Sequence, residues 1–74
     1  MTDLNKFGKQ RLAFLRSRHP QILKKLEDHG LLQIHLHYAQ KRAGWRVDQL
    51  VMAGMEEPEA EQIALLEVIQ ENSI

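Results

Sequence analysis

Apolar positions recur along this chain in four blocks at helical spacing, and proline and glycine separate the blocks. In the first, residues 4–18, Leu4, Phe7, Leu12 and Leu15 share one face while Lys6, Lys9, Arg16 and Arg18 lie mostly outside it. Thr2 or Asp3 is the expected N-cap, because a short side-chain oxygen satisfies free amides of the first turn. Gly8 costs up to about 1 kcal/mol inside a helix, so it marks either the real start or a close helix crossing. His19-Pro20 ends the block, since proline disfavours helical backbone in the residue before it and preorganises a new first turn. A short second helix then runs from Pro20 to about His29, burying Ile22, Leu23 and Leu26, with Gly30 as its left-handed stop.

The third block, residues 31–53, is the longest and carries two stripes. Leu32, Leu36, Ala39, Ala43, Val47 and Leu50 align on one side and form the natural core face. Almost opposite lie Leu31, Tyr38, Trp45 and Met52, spaced by seven, with Ile34 beside them. A helix apolar on two opposed sides is either central in its bundle or buried against something outside its own chain. Ile34-His35-Leu36-His37-Tyr38 also alternates with the period of a strand. A lone strand has no ladder partner in this chain, so the helix is the better expectation.

Gly54 and Pro58 bracket the last connection, Met55-Glu56-Glu57. Pro58 suits the first turn of a final helix over residues 58–72, and Glu57, Glu59 and Glu61 suit its positive N-terminal end. Ile63, Leu65, Leu66, Val68 and Ile69 predict that this helix is well buried. The pattern as a whole predicts an all-α bundle of four helices, about residues 4–18, 20–29, 31–53 and 58–72, in one domain.

Charge changes the picture more than composition does. The 74 residues carry ten basic and ten acidic side chains. All ten basic ones lie in residues 1–46 with only three acids, a surplus of seven positive charges, and the seven remaining acids follow from residue 47 with no base. Such asymmetry points either to a charged partner, nucleic acid among them, or to an acidic C-terminal helix folded back on the basic half. In the nucleic-acid reading the contacts would be Lys6, Lys9, Arg11, Arg16, Arg18, Lys41, Arg42 and Arg46. Arg46 to Leu66 also approximates a helix-turn-helix through Leu50, Gly54, Met55 and Ile63. Its recognition helix would carry Glu59, Glu61 and Glu67 to the phosphates, and that repulsion rules out the usual form.

Little in the chain points to catalysis or a cofactor. With no cysteine there is no thiolate ligand, nucleophile or disulfide. His35 and His37, two apart, diverge by roughly 200° on a helix, whereas a zinc pair needs the i, i+4 spacing of one face. No Ser–His–Asp arrangement or phosphate-cradling glycine loop is present, and Glu56-Glu57 reads as a solvated turn. The expectation is a non-enzyme with no catalytic residues, no metal, no cofactor and no small-molecule substrate. No apolar run approaches the roughly 20 residues of a membrane span, and the N-terminus lacks a signal-peptide pattern. A cytoplasmic protein without a membrane partner is therefore expected. Tyr38 and Trp45, interleaved with Lys41, Arg42 and Arg46, suit a base-stacking platform. Such a stripe is more often core or a protein contact. As a protein contact it comprises Leu31, Ile34, Tyr38, Trp45 and Met52, meeting another protein or a second copy in a homodimer.

Gly8-Lys9-Gln10-Arg11-Leu12-Ala13-Phe14-Leu15-Arg16, then Leu26 to Gly30 followed by Leu32, Leu36 and Ala39, resembles the transposon-encoded TnpV proteins of gut Firmicutes. Those proteins share a Gly-x-x-Arg-Leu-x-aromatic-Leu segment, a short helix closed by glycine, and a long helix rich in Gln, Glu and Arg. The resemblance covers about residues 7–53, and beyond it this chain ends in its own acidic helix. It implies genomic context, an accessory protein of a bacterial mobile element, and assigns no site residue; the residues themselves lead to the expectation of a protein-interaction or regulatory role.

Overall fold

The computed structural model describes residues 4–71. They form four α-helices: α1 (Lys6–Arg18), α2 (Pro20–Asp28), α3 (Leu32–Met52) and α4 (Glu57–Ala64), the last continued by a π-helical turn, Leu65–Ile69. The all-α bundle expected from the pattern is the fold observed, and the alternating stretch Ile34 to Tyr38 is helical.

Local chemistry sets the boundaries. Asn5 caps α1, its Oδ1 accepting from the amides of Phe7 at 2.9 Å and Gly8 at 3.1 Å. The expected caps Thr2 and Asp3 lie outside the described residues. Pro20 opens α2, and Gly30 at φ 69° closes it. The amide of Leu31 reaches back to the carbonyl of Leu26 at 2.8 Å, and that of Gly30 to Glu27 at 3.1 Å. These are the paired bonds of a Schellman stop, which needs the left-handed conformation glycine adopts without strain. The end of α3 repeats the device: Gly54 sits at φ 102°, with Met55 bonded to Leu50 and Gly54 to Val51, both at 3.0 Å.

Pairing fixes the topology. Asn5 donates its amide to Gln40 Oε1 at 2.9 Å and Arg11 bonds His35, so α1 runs antiparallel to α3. Arg46 meets Glu67 and Arg42 meets Glu71, so α4 also runs antiparallel to α3. Helices α1 and α4 therefore lie side by side on one face of α3, and α2 packs on both α1 and α3. Gly8 marks the close crossing: a Cβ there would strike Gln40 Oε1 and stand 3.0–3.1 Å from Leu4.

The core lies where α3 meets this pair. Leu36, Ala39, Ala43 and Val47 are buried along the expected stripe, with Leu32 and Leu50 half-buried at its ends. Facing them are Phe7, Ala60, Ala64, Val68 and Ile69. The four alanines let the α3 and α4 backbones approach closely, a contact that large apolar residues could not make.

The last helix differs from expectation. Leu66 is exposed, while Ala60 and Ala64 take the buried positions. A helical register of four carries the inward face from Ala60 to Ala64 to Val68. The π turn then widens the step so that Ile69, five after Ala64, is also fully buried, with Gln70 N bonded to Leu65 O at 2.9 Å. Regular helix ends at Ile69, and the expected terminus near Asn72 lies outside the described residues.

Candidate interaction face

The described residues form a plate with principal extents of 41 × 26 × 16 Å. Two helix layers with axes about 8–10 Å apart account for the thinnest dimension. Helix α3 is thus one outer layer, and no other described element covers the side turned away from α1 and α4. That side carries the second stripe. Leu31, Ile34, Tyr38, Trp45 and Met52 are all exposed, from 47% at Leu31 to 87% at Met52. Of the two origins for a doubly apolar helix, burial among the described residues is not the one observed.

Cations are laid over the stripe's aromatic rings. Lys41 Nζ stands 5.2 Å from the centroid of Trp45, and Arg42 Cζ 5.7 Å from that of Tyr38. These contacts draw each charge toward a ring face and limit the freedom of both side chains. Among the described residues no helix is long and apolar enough to cross a membrane.

One flank of the face is fixed by ion pairs to α4 and the segment after it. Arg46 grips Glu67 with two bonds, Nε to Oε2 at 2.7 Å and Nη2 to Oε1 at 3.3 Å. That fork holds the guanidinium's pKa above its ordinary value. Arg42 Nη1 meets Glu71 at 3.3 Å, and on the other side of α4 Lys6 pairs with Glu61. The acidic C-terminal helix does fold back on the basic half.

Arg11 occupies a different place from the one its charge suggested. It is 4% exposed, so the sequence-based assignment of Arg11 to a nucleic-acid surface is corrected. Lying four residues after Phe7 and four before Leu15, it shares their inward face. Its Nη1 donates to the carbonyl oxygens of Ile69 and Glu71, both at 2.8 Å, and its Nε to His35 Nε2 at 3.1 Å. Arg11 therefore caps the end of the π turn, whose last carbonyls have no helical partner. Desolvation lowers the pKa of Arg11, with Glu71 opposing that shift. His35 is lowered by burial first and by Arg11 second. Accepting at Nε2 makes His35 a neutral imidazole with its proton on Nδ1.

These positions redistribute the eight cations of the nucleic-acid reading. Arg11 is buried, and Lys6, Arg42 and Arg46 are held by carboxylates. Lys9, Arg16, Arg18 and Lys41 are exposed without an anionic partner among the described residues. His35 and His37 diverge: His35 Nε2 faces Arg11, while His37 Nδ1 lies 3.4 Å from Gln40 Nε2. Among the described residues no three His, Asp or Glu side chains gather as a metal site.

Clefts are also present among the described residues. One of about 240 Å³ lies between α3 and the end of the chain, lined by Arg11, His35, Tyr38, Arg42 and Glu71. Apart from the Tyr38 hydroxyl, its polar groups are those already bonded to one another. A more open one of about 370 Å³ lies between α1 and the π turn, lined by Gln10, Phe14, Arg18 and Gln70 among others, without an acid or histidine. No family model, no curated protein and no solved structure matches this chain.

Proposed function

We propose that this chain is a non-enzymatic protein-interaction module whose contact surface is the outer face of α3. The observation that supports it is the row Leu31, Ile34, Tyr38, Trp45 and Met52, apolar, exposed and carried along one helix. A contiguous apolar patch of this kind on so small a domain costs solubility unless a partner covers it. Aromatic anchors and Met beside a cation match the composition of interface centres. In this reading α1 and α4 are the scaffold, and the ion pairs from Arg42 and Arg46 hold the rim. The likeness of residues 7–53 to TnpV proteins suggests the setting, an accessory role in a bacterial mobile element.

Site-directed photo-crosslinking tests the surface. A benzoylphenylalanine placed at position 45, in cells expressing the chain, should capture a polypeptide. The same group at position 9, exposed on α1, should capture far less. Absence of any protein adduct at position 45, or equal adducts at both positions, would sink the reading.

A further inference from the structure

Within the apolar stripe of α3 stand two charged residues of opposite sign, Lys41 and Asp48. Both are exposed, and neither has an ion-pair partner among the described residues. They are seven apart, about 10.5 Å along the helix, too far to pair with each other. An acid and a base without ion pairs in an exposed apolar seam, the base resting on the Trp45 ring, are costly to cover with a neutral surface, because neither would gain an opposite charge for the water it loses. The partner must therefore bring an acid opposite Lys41 and a base opposite Asp48, spaced as they are here but in reverse order.

A second copy of α3, running antiparallel, meets that requirement. We infer that the occupant of this face is another molecule of the same chain, related by a two-fold axis that passes between Gly44 and Trp45. This inference rests on the proposed contact surface. The axis exchanges position 41 with 48, so Lys41 of each copy faces Asp48 of the other and the contact gains two ion pairs. It exchanges 44 with 45, which sets the two Trp45 side chains astride the axis at the centre of the contact. It exchanges 38 with 51, bringing Tyr38 against the partner's Val51 and Met52. Val51 and Met52 are among the exposed apolar side chains, so the match is apolar on apolar. A closed two-fold contact of this type is self-complementary by construction. The parallel arrangement sets Lys41 on Lys41 and Asp48 on Asp48, so the same charges that favour one orientation oppose the other.

The contact is modest in size. A helix of 21 residues is about 32 Å long and about 10–12 Å across with its side chains. One face of it contributes on the order of 500 Å² per copy, near the lower limit for a specific interface. The dimer should accordingly be weak and dissociate reversibly on dilution.

Sedimentation equilibrium of the intact chain up to about 1 mM is the first measurement. The mass should rise from 8.6 kDa toward twice that value. Lys41→Asp and Asp48→Lys should each weaken self-association at least about tenfold. An equimolar mixture of these two variants should dimerise again, as should the variant carrying both changes. A zero-length carbodiimide crosslink provides a test free of substitutions: in a mixture of isotopically light and heavy chains, Lys41 should couple to Asp48 between molecules. A chain that stays at 8.6 kDa at the highest concentration overturns the second-copy assignment, while position 45 crosslinking to a different polypeptide would leave the contact surface standing. Dimerisation that is indifferent to both single swaps, or an absent Lys41–Asp48 crosslink, overturns the register.

Discussion

Arg11 is the side chain on which the closure of the C-terminal segment depends, and Arg11→Met isolates its contribution. The substitution keeps the aliphatic stem and removes the guanidinium, with its 2.8 Å bonds to the carbonyls of Ile69 and Glu71 and its 3.1 Å bond to His35. The Ile69 carbonyl lies in a buried contact, so it loses its donor without gaining water, a cost of about 1–3 kcal/mol. The Glu71 carbonyl is only partly buried, and solvent replaces most of that bond. Relief of the guanidinium's own desolvation, visible in its lowered pKa, offsets part of the loss. The net expectation is about 1–2 kcal/mol of destabilisation, against a total of about 4–11 kcal/mol for a domain of this length. In a melt followed by far-UV circular dichroism this becomes a fall in Tm of about 5–15 °C. Hydrogen exchange should accelerate first at the amides of residues 65–70. Arg11→Lys should recover only part of the loss, because an ammonium cannot reproduce the planar fork. A Tm loss for Arg11→Met below about 4 °C would refute the assignment of Arg11 as the cap of the π turn.

Three further outcomes follow from the same geometry. His35 has its pKa held below the ordinary 6.5, so between that lowered value and 6.5 the unfolded chain binds a proton that the folded chain does not. Its contribution is thus fully present above 6.5 and is lost as pH falls through the folded value; Tm should drop on acidification, and His35→Gln should flatten that drop, an unchanged profile contradicting it. Ala64→Leu should cost about 1–3 kcal/mol by forcing α4 off α3, while Leu66→Ala should change stability by less than about 0.5 kcal/mol; equal effects in chemical denaturation would contradict the observed register of α4. Any binding to duplex DNA should be weak, with a log K against log salt slope no steeper than about −5, because Lys9, Arg16, Arg18, Lys24, Lys25 and Lys41 are the exposed cations without an ion pair among the described residues; tight binding that survives high salt would instead favour specific readout.

How much of this was legible in the sequence depends on how local the signal is. The breaks at His19-Pro20, Gly30 and Gly54 to Pro58 are written in backbone preference, and the structure places them there. The two stripes of α3 follow from period alone, and the structure separates them into a buried side and an exposed one. Three features were hidden because they depend on what faces them. Charge placed Arg11 outside, although its spacing from Phe7 and Leu15 set it on the inward face; only the arrival of the Ile69 carbonyl makes that burial affordable. The pattern of large apolar residues does not point to Ala60 and Ala64, yet it is their small size that admits α3. The π turn has no local signature, arising where Ile69 must turn inward beyond Val68. At the candidate site the apolar stripe was visible from spacing, whereas the carboxylate partners of Arg42 and Arg46 required the antiparallel pairing of α3 with α4.

The most direct test of the central claim uses the chain's single tryptophan, which sits in the middle of the proposed contact. Trp45 fluorescence should be that of a solvent-exposed indole in dilute solution. Its emission should shift to shorter wavelength as concentration rises through the range in which the chain associates, with Lys41→Asp abolishing the shift. Emission that stays at its water-exposed position up to about 1 mM, or that is already blue-shifted in the dilute monomer, would contradict the claim that α3 turns an open face toward a partner.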